Sequence, residues 1–424
     1  MFNHFRKFIV LSLVILLFVS GCGPLSNSSS ESGEKVEIEF WHAMSGNLGG
    51  SLEKITDDFN KKHDNIHVKL VFLKDYPTIT NKLQLALQSK DVPALVQLED
   101  PTLQTFASSG HLQSLNEMIQ KEDLNTGDYV DSFMKSASHD GKFYGLPLNR
   151  SVPILYYNKD VFKKAGINPD QINSWKGVRE VSNELVDKGA VQYGFEPIKY
   201  PWFFTGLARS NGAELSNDPE QIKLDSPEAA EALQLWGDMI HKDKVSKVHY
   251  GGEGWAYWYD TIADVTEGKA AMVTGSTADM GSMDGEKIGA KPMPTFKGEE
   301  LSVPTGGTSG VIPKNASEEQ QQAAFEFIKY FSEPDVTEQW AKETGYLPVR
   351  HSAIEKMESF FEKNPNFKVA VEELKHAKPT PLFPSWNEIE NEAISKAFDQ
   401  VFVDNVPAEE ALKNAQKKAE KILN

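Results

Sequence analysis

Polar and apolar residues alternate from Val36 to His42 and turn aromatic at Phe40 and Trp41, the pattern of a strand entering a core. Glycines 46, 49 and 50 follow, and Leu52, Ile55 and Phe59 then recur at i, i+3 and i+7, which predicts a helix face. Alternation returns over 67–73, a second helical stretch carries Ile79, Leu83, Leu85 and Leu87, and a third strand is expected over 93–98. Strand, helix, strand, helix, strand at this spacing predicts a mostly parallel sheet with right-handed crossovers. Open sheets of this kind bind ligands at the carboxyl ends of their strands. Those ends are Trp41-His42-Ala43, Lys74-Asp75-Tyr76 and Glu99-Asp100.

Pro147 and Pro153 flank an extended stretch over 145–158 that has no helical period, which reads as a strand passing between two domains. Ser317 and Gln320 form a capping box before a helix whose buried stripe is expected at Ala324, Phe327, Ile328 and Phe331. Pro407 opens the last helix, and Lys417, Lys418 and Lys421 suit its C-terminal end. A chain of 424 residues exceeds what one core usually serves, so two domains are expected.

The start of the chain follows a different logic. Arg6 and Lys7 precede an apolar run over 8–19, too short for a membrane span and suited to a secretory signal. The run ends Val19-Ser20-Gly21-Cys22, which resembles the bacterial lipobox and implies lipidation of Cys22, the sole cysteine. Residues 1–22 are thus expected to form a lipoprotein signal peptide. The Ser-rich segment 23–35 reads as a flexible tether holding a folded body near a membrane by its lipid alone. The expected location is extracytoplasmic, lipid-anchored to the cell membrane.

A net charge of −17 argues against nucleic acid, whose phosphates select Lys and Arg. No nucleophile elbow, phosphate-binding loop, dinucleotide fingerprint or His-Glu-x-x-His occurs. His63 and His67 have a helical metal spacing, but Asp64-Asn65 reads as a turn between them, so no metal and no cofactor is expected. Paired carboxylates fall in no recognisable glycosidase context, and an enzyme is not expected.

Four segments, in order, resemble the family 1 extracellular solute-binding proteins of ABC importers: 40–46, 147–160, 268–276 and 344–350. The resemblance spans nearly all of the chain after Cys22. It implies an α/β, two-lobed periplasmic-binding-protein-like fold with hinge crossovers. The lobes implied are 36–150 plus 295–345, and 151–294 plus 346–424. Partners implied are a small polyol, phosphate-ester or sugar ligand and ABC permease subunits, the protein itself being a monomer.

The likeness is nearest to the branch that binds glycerol phosphates. It implies ligand contacts at Tyr76, Asp100, Ser151, Ser276, Tyr346 and the backbone of Gly307. One departure stands out. Where that branch carries an arginine, this chain reads Trp386-Asn387-Glu388-Ile389-Glu390-Asn391-Glu392, so Arg150 or Arg209 is the expected substitute grip on phosphate. Trp202, Trp255, Tyr257, Trp258 and Tyr259 could instead stack on sugar faces, Trp258 first among them. The ligand is therefore expected to be glycerol-3-phosphate or a glycerophosphodiester. A neutral oligosaccharide is the alternative, and a lipid-anchored carbohydrate-active enzyme is the alternative of another class.

Overall fold

The computed structural model describes residues 35–296 and 298–424; Cys22, the signal segment and nearly all of the tether lie outside them. Nine strands position the site: β1 Val36–His42, β2 Ile66–Phe72, β3 Leu95–Glu99, β4 Gly145–Ser151, β5 Pro153–Asn158, β6 Glu196–Pro197, β7 Met272–Ser276, β8 Ile288–Lys291 and β9 Gly306–Val311.

The first sheet has the order β2-β1-β3-β9-β4. β1 runs parallel to β2 and β3, whereas β9 runs antiparallel to both β3 and β4. The expected parallel sheet is therefore present with one reversed strand, contributed by the chain when it returns from the second sheet. That second sheet has the order β8-β5-β7-β6. β5 pairs antiparallel with β7 and β8, and β6 pairs parallel with β7.

The helices form where the apolar spacing places them. Gly46–Lys62 buries Leu52, Ile55 and Phe59. Tyr76–Ser89 buries Ile79, Leu83 and Ala86, and Asp75 caps it by accepting from the Thr78 N–H at 2.8 Å. Leu85, expected on the buried side, is 66% exposed because it lies about 200° around the helix from Leu83. Glu318–Phe331 begins at the Ser317/Gln320 capping box and buries Ala324, Phe327, Ile328 and Phe331 as expected. The last helix, Ala408–Leu423, packs on Pro227–His241, where Gln234 accepts from the Ala408 N–H at 2.8 Å.

Core aromatic packing is largely edge to face. Phe59 meets Phe327 at 5.1 Å and 88°, while Trp175 meets Trp236 at 5.5 Å and 72°. The chain passes between the sheets at three adjacent places. Val152 alone separates β4 from β5, Thr305 precedes β9, and Leu347 donates its N–H to the Arg150 carbonyl at 2.7 Å. Among the described residues no helix is long and apolar enough to cross a membrane.

Candidate ligand-binding site

A cavity of about 950 Å³ opens between the two sheets, at the carboxyl ends of β1 and β3 and beside the crossings. Behind the wall, next to the lining residues Ala43, Ser151 and Gly307, lies a polar junction centred on Asn149 of β4. The Asn149 Oδ1 accepts from Gln97 Nε2 at 2.8 Å and from the Thr308 hydroxyl, and Gln97 Oε1 accepts from the Ala43 N–H at 2.9 Å. These bonds tie β1, β3, β4 and β9 together, so the loops at their ends hold fixed positions.

Aromatic residues form one wall. Tyr76 opens its helix on the first sheet's side, and its ring lies 5.3 Å from Trp255 at 74°. Tyr200 lies 5.7 Å from Trp255 and 5.9 Å from Trp258, both edge to face. Trp202 donates its Nε1–H to the Thr305 carbonyl at 3.0 Å and packs on Gly306, where an added Cβ would come within 2.5 Å of the indole. Gly307 has φ +95°, and a Cβ there would lie 1.9 Å from the Asn149 carbonyl oxygen. Glycine is thus required at 307 by backbone geometry.

Carboxylates supply the charge. Glu99, Asp100, Asp279, Glu388, Glu390 and Glu392 line the cavity, and no Lys, Arg or His does among the described residues. Glu99 accepts from the Tyr200 hydroxyl at 2.6 Å, joining the two sides. Burial pushes Glu99 up to about 7 against that hydrogen bond, with Asp100 adding like-charge repulsion. Asp279 accepts from Trp258 Nε1 at 2.9 Å and from the Ser276 N–H at 2.8 Å, and burial still raises it to about 7. Glu390 is half-buried with its Oε1 inaccessible and unpartnered, and desolvation lifts it well above the usual carboxylate range.

The sequence-expected residues fall into two groups. Tyr76, Asp100, Ser151, Ser276, Gly307, Tyr346 and Trp258 all line this one cavity, drawn from seven separate stretches of chain. Arg150 does not line it. Ser151 faces the cavity, and consecutive strand residues point to opposite sides, so Arg150 points away. Its guanidinium is fully buried and donates to Asp100 Oδ1 at 2.6 Å and Ser309 Oγ at 2.6 Å. Arg209 is also off the wall. It donates to the Pro379 carbonyl at 2.9 Å, and burial lowers it to about 10. The expected arginine substitute for a phosphate grip is therefore corrected: neither guanidinium reaches the cavity.

Several wall residues escaped the sequence reading. Asp279 had a signal, since Ser276-Thr277-Ala278-Asp279 has the capping-box spacing that the structure forms. Tyr200 had none beyond its neighbours Pro201 and Trp202. Tyr257 does not line the cavity, while Trp202, Trp255 and Tyr259 do.

A family model described as bacterial extracellular solute-binding protein matches residues 54–369. The sn-glycerol-3-phosphate-binding periplasmic protein of Rhizobium meliloti is 28% identical over 363 residues, covering 81% of this chain and 83% of that relative. The protein of the same description from Brucella abortus is 26% identical over 416 residues, covering 92% and 93%. Among solved structures, UgpB from Mycobacterium tuberculosis in complex with glycerophosphocholine superposes with a TM-score of 0.81 at 27% identity. It covers 91% of this chain and 98% of that one. Maltose-bound MalE3 of T. maritima shares the fold at a TM-score of 0.81 and 21% identity, over 91% and 100% of the two chains.

Proposed function

Since the chain belongs to the bacterial extracellular solute-binding proteins, the ligand-capturing components of ABC importers, we propose that its cleft takes a zwitterionic glycerophosphodiester of the glycerophosphocholine type. The carrying observation is the cavity lining, aromatic and acidic with no cationic side chain among the described residues. A phosphate monoester, near two negative charges, would meet six carboxyl groups, of which burial raises Glu99, Asp279 and Glu390, and no guanidinium there. A choline-bearing diester brings its own cation, and a quaternary ammonium over Trp or Tyr gains about 0.5–2 kcal/mol. The likeness to the Mycobacterium tuberculosis protein, whose structure holds glycerophosphocholine, supports this reading.

In this reading Tyr76, Tyr200, Trp255 and Trp258 receive the ammonium, and ionised Glu99 and Asp279 favour it. Asp100, Ser151, Ser276, Tyr346 and the Gly307 backbone bind hydroxyls and ester oxygens. Closure of the two lobes at the three crossings buries the solute and forms the surface that the permease recognises. The ligand shifts the open–closed balance only by its preference for the closed form.

In this reading the solute is carried unchanged. Both Asp279 oxygens are engaged by the protein and Glu99 is held by Tyr200, so these two carboxyls serve the wall. A glycosidase would need a free acid and a second carboxylate across the cleft, and turnover of a sugar ligand would overturn the carrier reading. A neutral oligosaccharide is the second reading, favoured by the volume of about 950 Å³, near the upper end for small-molecule pockets. The protein works outside the cytoplasm as a monomer, anchored through lipid on Cys22. Cys22→Ala should abolish incorporation of labelled fatty acid, and retained label would remove the anchor from this account.

Calorimetry with glycerophosphocholine, glycerol-3-phosphate, maltose and longer oligosaccharides tests the ligand. Glycerophosphocholine should bind at least tenfold more tightly than glycerol-3-phosphate, about 1.4 kcal/mol. Tighter binding of glycerol-3-phosphate would overturn the charge argument, and binding of a sugar alone would establish the second reading.

A further inference from the structure

A second cluster of ligating groups lies at the edge of the second sheet and shares no residue with the cavity wall. Glu196 lies on β6, His249 in the loop between the helices Pro227–His241 and Ala256–Thr266, and Asp264 in the second of those helices. They bring one ligand atom each to within 4.8 Å of one another. The His249 Nε2 is 2.9 Å from Asp264 Oδ2 and 3.6 Å from Glu196 Oε2. Ligand atoms about a zinc ion at ~2.0–2.1 Å in a tetrahedron stand roughly 3.3 Å apart, which these two separations bracket.

Glu196 is the second, independent observation. Its side chain is fully buried, and neither carboxylate oxygen has a hydrogen-bond partner. Buried carboxylates are normally paired or coordinate a metal. The nearest cation, Lys247, bonds Asp264 Oδ2 at 2.6 Å and stays 3.7 Å from Glu196, too far for a hydrogen bond. Of the three ligating residues Lys269 reaches Asp264 alone, at 3.4 Å, and its closer partner is Glu267 at 2.7 Å. The side chains of His249 and Lys247 are 24% and 32% exposed, so an ion has a path from solvent.

We propose that Glu196, His249 and Asp264 bind a divalent cation of the zinc class, with water in the fourth position and the Lys247 ammonium displaced towards solvent. One imidazole and two carboxylates suit zinc better than calcium or magnesium, which prefer all-oxygen sites with more ligands. Two carboxylates neutralise the ion, and neutral His249 coordinates through Nε2 with its proton on Nδ1. The ion would join an edge strand, a helix and a loop that otherwise meet through ion pairs.

The untagged protein, freed of metal with a chelator, is titrated by calorimetry with zinc chloride, manganese chloride or calcium chloride, each alone. One equivalent of zinc should bind. His249→Ala and Glu196→Gln should weaken it at least tenfold, Lys247→Met should strengthen it, and His63→Ala should leave it unchanged. His249 is partly exposed, so its alanine variant tests the site even if Glu196→Gln fails to fold. The proposal is overturned if zinc does not bind, if it binds His249→Ala equally well, or if calcium or manganese binds more tightly.

Discussion

Replacing Arg150 with methionine separates a ligand-gripping arginine from one that holds the wall of the cleft. The guanidinium and the Asp100 carboxylate are 0% and 3% exposed and meet at 2.6 Å. Asp100 Oδ2 and Arg150 Nε have no hydrogen-bond partner, so Asp100 depends on the single Nη1–Oδ1 contact with Arg150. A methionine side chain would fill much of the same volume beside Phe133 and leave the Asp100 charge buried without a counterion. Removing one member of a buried pair costs about 3–5 kcal/mol. The lost bond to Ser309, about 1.5–3 kcal/mol for a charged donor, overlaps that figure and is not added to it. Against a total stability of about 5–15 kcal/mol, the variant should lose a third or more. Urea unfolding followed by tryptophan fluorescence measures the loss. The double variant Arg150→Met, Asp100→Asn should recover part of it, because an amide is cheaper to bury than a lone carboxylate. Unchanged stability with a selective loss of affinity for phosphorylated ligands would refute the structural role and return Arg150 to the binding site.

Other expectations follow from the same geometry. Trp258→Ala removes an aromatic face and the Asp279 hydrogen bond, and should weaken glycerophosphocholine binding at least tenfold by calorimetry, about 1.4 kcal/mol; an unchanged affinity would place the ligand elsewhere. Gly307→Ala puts a Cβ against the Asn149 carbonyl at positive φ and should cost more than about 2 kcal/mol in unfolding, a loss that equilibrium denaturation would detect or deny. Glu99 and Asp279 stand at about 7 when folded, above ordinary unfolded values near 4, so the folded form holds protons that the unfolded form releases. Their effect on stability is therefore unfavourable above pH about 7, shrinks as pH falls towards about 4, and shows as a rise in the free energy of unfolding as pH is lowered through that window. Ligand binding runs the other way: affinity for glycerophosphocholine should rise from about pH 6 to about pH 8 as the carboxylates ionise, while affinity for a neutral sugar should stay within about twofold.

How far the sequence carries depends on whether a feature is local. Strand alternation at β1 and β2, the Ser317/Gln320 box and the Leu52/Ile55/Phe59 stripe are local, and the structure forms each of them. The reversed β9 is set by where the chain re-enters the first sheet, which no nearby residue encodes. The six residues implied by family resemblance, and Trp258 from the aromatic cluster, meet at one cavity only once the fold brings seven separate stretches of chain together. Arg150 shows a different failure. Its position beside Ser151 was visible, yet adjacency along a strand means opposite faces, and the arginine's true partner, Asp100, lies fifty residues away in sequence. The acidic character of the wall was half legible: residues 386–392 displayed no basic residue, but the convergence of Glu99 and Asp279 on the same space required the fold.

The three neighbouring chain crossings also act as a mechanical element. A single connecting strand would let one half swing, twist and slide against the other. Three strands abreast, with Leu347 hydrogen-bonded to the Arg150 backbone at the middle of the strap, behave like a leather hinge: compliant to bending across their width and stiff to torsion and shear. In the proposed closure, such a strap would restrict the two halves to nearly one degree of freedom. Closure along that path would bring Tyr76 to Trp255 and Glu99 to Tyr200, the contacts the structure holds, without a search over orientations. The alignment that a ligand would otherwise have to enforce from its own contacts is built into the covalent chain.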